Sequence, residues 1–325
     1  MELGSQPQIV VVIPCLDEAL TIGTVVADFR RSLPGAMVVV VDNASTDDTA
    51  AVAAAAGATV LKERRRGKGN AVRKAFNSIE ADVYLLVDGD GTYPASEAPR
   101  LVAPVIAGDA DVVIGGRLDQ ASRSEFRKAN RLGNHFFLAV VNLIFGAQVS
   151  DLLTGYRVMS REFVKRTPIL AAGFELETEL TILALERGFL TIEVPVQLAT
   201  RPEGSHSKIR VIGDGWRILS AIVTLLRDYR PFTFFGGLGL GACLIGLVPG
   251  LFVTWEFIHT GAVRIPTAVL ATGLELAGLT FILVGVVLTT LARRFRELDH
   301  QLAVVQRSLE RLSAATGPAD RRAPR

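Results

Sequence analysis

Between Phe232 and Leu291 the chain is almost free of charge, and no other stretch limits its fold so strongly. Hydrocarbon offers a backbone no water, so a long uncharged segment must satisfy its own hydrogen bonds as a helix. Phe232 to Ile258 and Pro266 to Leu291 are each long enough to cross a hydrocarbon core of about 30 Å. Trp255 lies near one end, as interfacial aromatics do, and the link His259 to Ile265 holds only Arg264 as a fixed cation. Arg227 and Arg230 precede the first segment, and Arg293, Arg294 and Arg296 follow the second. The bias of cations toward the inner side predicts a two-helix transmembrane hairpin with both flanks cytoplasmic and the link outside. Glu275, an acid inside the second span, is expected to make a buried contact between the helices.

The residues before Arg230 have a different pattern, in which short apolar runs alternate with charged helical ones. Ile9 to Ile13, Met37 to Val41, Thr59 to Leu61, Val83 to Val87 and Asp111 to Ile114 read as strands. The stretches between them carry helical periodicity, as in Ile22, Val25, Val26 and Phe29, and in Ala71 to Ile79; another helix is expected from about Ser96. Ser45 or Thr46 is expected to cap the Ala-rich helix after the second strand. Alternating strands and helices predict an α/β fold with a largely parallel, doubly wound sheet.

Two further segments, Glu125 to Phe145 and Lys208 to Tyr229, mix cations with apolar residues at helical spacing. Such helices can lie in a membrane interface or pack on a domain; the second leads directly into the first span, which favours the interface. Leu298, Leu302, Val305, Leu309 and Leu312 form a short heptad-like series that could join subunits or rest on the bilayer. The expected organisation is a cytoplasmic catalytic domain over residues 1–206 and an interfacial helix over 207–230. The two spans follow within 231–292, then an amphipathic helix and tail over 293–325.

Chemistry-bearing residues gather at the strand ends. Val83 to Val87 runs into Asp88-Gly89-Asp90-Gly91, two carboxylates one residue apart in a glycine-opened turn. In open α/β sheets ligands bind beyond the carboxyl ends of the strands. There Mg²⁺ takes one or two carboxylates together with substrate phosphates. A solvated turn would use the same residue types. Pro14 to Glu18, Asp42 to Asp47 and Arg117 end neighbouring strands, and that convergence is more specific than any one motif. Gly67 to Asn70 precedes a helix, whose N-terminus can receive anions, but it lacks the spacing of a P-loop. Asp47 has a capping reading, and Glu175 and Glu179 can be read as acids at a helix N-terminus. Net charge is +2 and no nucleic-acid motif is present, so nucleic acid is not an expected partner. Cys15 and Cys243 do not suggest a disulfide framework, and the short run Ile9 to Ile13 does not read as a signal peptide.

In order along the chain stand IPCLDE (13–18), VDNASTDDT (41–49), GKGNAVRKA (67–75), DGDGTYP (88–94), DLLTGYR (151–157), FELETE (174–179) and RPEGSHSK (201–208). Over about residues 8–230 this series resembles the family-2 glycosyltransferases of GT-A fold, and within them the polyprenyl-phosphate sugar synthases. The resemblance implies a GT-A Rossmann-like sheet in which Pro14, Leu16, Glu18 and Asp42 meet the nucleotide. It further implies that Asp88 and Asp90, with Gly89 between them, hold Mg²⁺ or Mn²⁺ and the donor diphosphate. Lys68, Glu177, Arg201 and Lys208 join the nucleotide-sugar positions by the same resemblance. Asp151 becomes a candidate acid near the sugar, and Arg117 and Arg131 become candidates for the acceptor phosphate. The catalytic set so implied is Asp90, Asp151, Arg117 and Arg131.

Four positions depart from the family pattern: Leu16 replaces a frequent aromatic, Asn43 a second acid, Thr92 a Gln of the metal shell and Leu152 a Pro. The function the resemblance implies is inverting transfer of a hexosyl group from a nucleotide sugar to a dolichyl or undecaprenyl phosphate. A UDP-glucose type donor is slightly favoured over GDP-mannose, because DGDGTYP differs from the form common in mannose synthases. A membrane transferase acting on another lipid or saccharide, and a silent nucleotide-binding scaffold, are the competing readings.

Overall fold

The structure, a computed structural model, describes residues 7–117, 138, 141–142, 150–152, 154–173, 175–199 and 211–315. The chain divides into two compact units, Met1–Thr224 and Leu225–Arg325.

In the first unit seven strands form one sheet: β1 (Ile9–Cys15), β2 (Met37–Asp42), β3 (Thr59–Lys62), β4 (Val83–Leu86), β5 (Val112–Arg117), β6 (Arg157–Ser160) and β7 (Thr191–Val196). Their order is β3-β2-β1-β4-β6-β5-β7. The helices are α1 (Ile22–Ser32), α2 (Thr49–Ala55), α3 (Lys68–Ser78), α4 (Ala98–Ala107), α5 (Arg161–Arg166) and α6 (Leu176–Glu186). A β-strand points successive side chains to opposite faces, so the Val/Ile-rich β1 feeds two cores at once. Val11 and Ile13 pack with Val25, Val26 and Phe29 of α1 and with Leu101 and Val102 of α4. Val10 and Val12 pack with Val72, Ala75 and Phe76 of α3 and with Leu176 and Leu180 of α6. Helices therefore cover both faces, as the alternating pattern predicts.

The sheet is not wholly parallel. β6 inserts between β4 and β5 and runs antiparallel to both. Neither β6 nor β7 stands out as an apolar run in the sequence. β7 contains Pro195, which an edge strand tolerates because its outer amides need no ladder partner. β5 extends to Arg117 instead of stopping at Ile114, because its last residues pair with β7 up to Val196. α3 starts at Lys68, three residues before the apolar periodicity begins, and a 3₁₀ turn, Ala95–Glu97, precedes α4.

The expected cap of α2 by Ser45 or Thr46 is incorrect. The N-cap is Asp48, without a side-chain bond, and the first helical amide, that of Thr49, donates to Asp47 Oδ1 at 3.0 Å. Ser45 and Thr46 are instead engaged with Asp42 and Asp17.

The second unit begins within α7 (Val211–Tyr229) and holds a π-helical turn (Phe232–Gly236), α8 (Gly237–Thr260) and α9 (Ile265–Ala315). Pro231–Thr260 and Ile265–Phe295 are long and apolar enough to span a membrane. The helices approach closely: a Cβ added at Gly239 would meet the Gly278 carbonyl at 2.5 Å. Glu275 faces this contact, its Oε1 lying 3.2 Å from a Cβ built on Gly246. A separate amphipathic helix after residue 293 is not found. The second span and the heptad-like segment are one continuous helix of 51 residues, because no Gly or Pro interrupts the sequence between Val286 and Ala315. Most of the first amphipathic segment, Glu125 to Phe145, and the tail after residue 315 lie outside the described residues.

Candidate active site

The site is built from loops at the carboxyl ends of β1, β2 and β4, tied to one another by side chains. The β1 and β2 loops are joined through Asp17, whose Oδ1 accepts from the Thr46 amide at 2.6 Å, while its own amide donates to Ser45 Oγ at 3.0 Å. Asp17 (φ 50°) and Ala44 (φ 60°) are left-handed without being glycine. Such strain persists where surrounding contacts over-determine a loop, and it concentrates at functional sites. Asp42 turns its carboxylate back to the Ser45 amide at 3.1 Å.

Asn43 replaces the family's second acid and uses its amide fully. Its Oδ1 accepts from the Gly67 amide at 2.6 Å, and its Nδ2 donates to the carbonyls of Arg65 and Glu63 at 2.7 and 3.3 Å. The basic loop is thereby fastened to the β2 end.

The turn after β4 is fixed from three sides. Thr21 Oγ1 donates to the Gly89 carbonyl at 2.6 Å, and the Ala199 amide donates to the Thr92 carbonyl at 2.9 Å. The Gly155 amide donates to Tyr93 Oη at 3.0 Å, joining DGDGTYP to DLLTGYR. Asp90 is only 8% exposed, and its Oδ1 accepts from both the amide and the hydroxyl of Thr92, at 3.0 and 2.6 Å. Thr92 thus orients Asp90, where the sequence comparison with the family suggests a missing metal ligand.

Lys68 lies at the centre. Its ammonium, with 9% of the side chain exposed, bridges Asp88 Oδ1 and Glu177 Oε1. Burial disfavours its charge, but the two facing carboxylates outweigh that and hold it well above the usual lysine range. Glu177 is pushed up by burial, with Lys68 opposing and Asp88 adding to the rise. Lys68 reaches this position because Gly67, at φ 129°, and Gly69 let the loop bed against the carbonyls of Ala172 and Ala171, where any Cβ would collide.

Glu175 and Glu179 hold that bed in place. Glu175 Oε1 accepts from the amides of Ala172 and Gly173, and Glu179 accepts from those of Leu170 and Ala171.

Sequence reasoning missed Arg157, the last residue of DLLTGYR. It is fully buried and donates to the carbonyls of Thr154 and Leu152 and to Thr181 Oγ1, at 3.0, 3.1 and 2.8 Å. Burial pulls its guanidinium below the usual arginine value, while the charges of Glu177 and Asp151 oppose. Its signal was a lone cation opening the run Arg157-Val-Met-Ser160. Tyr93, inside DGDGTYP, and Thr21, three residues past IPCLDE, are further positioning residues.

Among the other sequence candidates, Asp151 is buried, Pro14 is the penultimate residue of β1, and Leu16 and Glu18 follow in its loop. Arg117 closes β5, with its backbone opposite Val196. Arg131, Arg201 and Lys208 lie outside the described residues. No three His, Cys, Asp or Glu side chains converge as a metal cage among the described residues. Asp88 and Asp90 are two carboxylates that could hold a hard cation together with substrate phosphates.

The model of the family described as Glycosyl transferase family 2 matches residues 10–167, from β1 through α5. The glycosyltransferase AglJ of Haloferax volcanii is 32% identical over 285 residues, covering 87% of this chain and 93% of the relative. The chain belongs to glycosyl transferase family 2.

This glycosyltransferase is also similar to the undecaprenyl-phosphate 4-deoxy-4-formamido-L-arabinose transferase of Edwardsiella ictaluri, 30% identical over 54% of this chain and 52% of that one. Its fold matches Mycobacterium tuberculosis glucosyl-3-phosphoglycerate synthase, solved with Mn²⁺ and UDP-glucose. The TM-score is 0.54 at 27% identity, over 68% of this chain and 78% of the other. The α/β sheet is thus of GT-A type, and the catalytic class is glycosyl transfer.

Proposed function

We propose that this glycosyltransferase moves a hexosyl group, with inversion, from a nucleotide sugar to the phosphate of a polyprenyl lipid at the cytoplasmic face of a membrane. The observation carrying the proposal is that Asp88, Asp90 and Lys68 gather at one strand end in a chain that also holds two span-length apolar helices. A relative that uses undecaprenyl phosphate supports the acceptor class, and a structural neighbour solved with UDP-glucose supports the donor lean. Cations flanking both spans support the cytoplasmic assignment.

The acceptor phosphate is already anionic, so the reaction needs no strong base. It needs two anions brought together and a leaving diphosphate neutralised. Asp88 and Asp90 would hold a Mg²⁺ or Mn²⁺ ion, which when bound supplies positive charge for the departing diphosphate. Thr92 keeps Asp90 oriented, and Lys68 adds a protonated ammonium beside Asp88. Asp42, Glu18 and the stitched β1 and β2 loops form the nucleotide side of the site, and Asp151 and Glu177 stand toward the sugar. Arg117, Arg131, Arg201 and Lys208 are assigned to phosphates because guanidinium and ammonium groups suit them.

The test incubates the purified full chain with UDP-glucose or GDP-mannose, Mg²⁺ and a short polyprenyl phosphate. Nucleoside diphosphate should be released only when metal and lipid phosphate are both present. Equal release without lipid phosphate would overturn the acceptor, and full turnover by Asp90→Ala would overturn the metal role.

A further inference from the structure

Asp88, one of the two acids assigned above to the cation, is also the acid that pairs with the chain's own lysine. The Lys68 ammonium sits on Asp88 Oδ1, and the other oxygen, Oδ2, lies over the backbone of Gly155, 2.6 Å from where a Cβ would stand there. Oδ1 is therefore engaged by the lysine, while Oδ2 is confined against a backbone that leaves no room for a side chain. The Lys68 backbone is held by its glycine neighbours against Ala171 and Ala172, so only the long side chain is free to change partner. Glu177, 3% exposed, offers that side chain a second carboxylate without requiring the loop to move.

We infer that Lys68 is a built-in counter-ion that competes with the divalent cation for Asp88 and is displaced when the donor diphosphate arrives. A dication and an ammonium repel at one carboxylate, so metal without nucleotide must remove the ammonium from Asp88 unaided. A diphosphate brings negative charge that receives the released ammonium and completes the metal shell. Metal and nucleotide then bind with positive coupling, and by linkage each raises the affinity of the other by one common factor. The inference rests on the metal reading above and adds an order to it: little metal enters before the nucleotide.

The test measures Mn²⁺ binding by electron paramagnetic resonance, on the full chain in detergent, with and without UDP or GDP. The variants are Lys68→Met and the pair Lys68→Met with Glu177→Gln, which removes one positive and one negative formal charge together and guards against misfolding of the single variant. Both should bind Mn²⁺ without nucleotide about tenfold more tightly than the wild type, within the usual range of coupling factors. The ratio of affinities with and without nucleotide should shrink accordingly. Nucleotide-free affinity unchanged in a folded variant would overturn the inference alone, leaving the metal reading intact. Absence of Mn²⁺ uptake by the wild type with either nucleotide would remove both.

Discussion

Asp88 rests its carboxylate on Gly155, so closely that a methyl group there would come within 2.6 Å of Asp88 Oδ2. The contact joins residues from two motifs far apart in the chain. Gly155→Ala must push the acid away or shift β6, at a cost of about 1–3 kcal/mol for an overpacked core position. The expected result is a lower Tm together with a kcat/KM reduced beyond what the lost folded fraction explains. Unchanged kinetics in a folded variant would mean that Asp88 can move without harm.

Asn43 occupies a position where the family usually has an acid, and here the amide is required. A carboxylate cannot donate to the carbonyls of Arg65 and Glu63. Asn43→Asp should therefore destabilise the basic loop by about 0.5–1.5 kcal/mol for each donor bond lost. Urea denaturation would read this, and limited proteolysis near Arg64 to Arg66 should speed up. A variant as stable as the wild type would show that the loop has another anchor.

Arg157 presents a planar fork to two carbonyls and a hydroxyl. Arg157→Lys keeps the charge but loses that geometry, so a loss of about 1–3 kcal/mol is expected. Thr181 also donates to the Glu177 carbonyl, which extends the disturbance toward Lys68. Nucleotide affinity should fall with stability; a drop in stability alone would confine Arg157 to the fold.

Glu179 provides a pH test away from the acids assigned to metal. Burial raises its pKa above 4.5, opposed by the amides of Ala171 and Leu170. A carboxyl whose folded pKa is raised binds more protons in the native state, so its contribution is fully present in acid and is lost as pH rises through that pKa. The stability of the wild type relative to Glu179→Gln should therefore decline from about pH 4.5 upward. Melting curves across that range check the slope, and parallel curves for the two proteins would remove the effect.

Much of the site was legible because its signals are local. A β-branched run followed by Asp-Gly-Asp needs only neighbouring residues to be read as a strand and turn, and Val83 to Asp90 behaves that way. The ion pair of Lys68 with Glu177 is not legible locally, since the two residues are 109 apart and no local pattern reports that distance. β6 escaped notice because it is four residues long and begins with a buried arginine whose satisfaction comes from carbonyls of its own loop. β7 escaped because Glu193 and Pro195 break its apolar pattern, which an edge position permits. Glu175 and Glu179 read as acids at a helix N-terminus, and only the folded backbone shows that their partners are amides of the preceding loop.

The placement of β6 also has a consequence in time. β5 reaches the rest of the sheet only through β6, yet β5 is synthesised well before it. A nascent chain that has emerged past Arg117 can assemble β3-β2-β1-β4, but it must leave β5 waiting as an unpaired strand. Pairing of Arg157–Ser160 with both β4 and β5 joins β5 to the sheet and, in the same step, brings Gly155 beneath Asp88, leaving only the β7 edge to be added. Maturation of the acidic turn is thus tied to the arrival of β6, so a ribosome-bound intermediate should hold the nucleotide loops before it holds a competent Asp88.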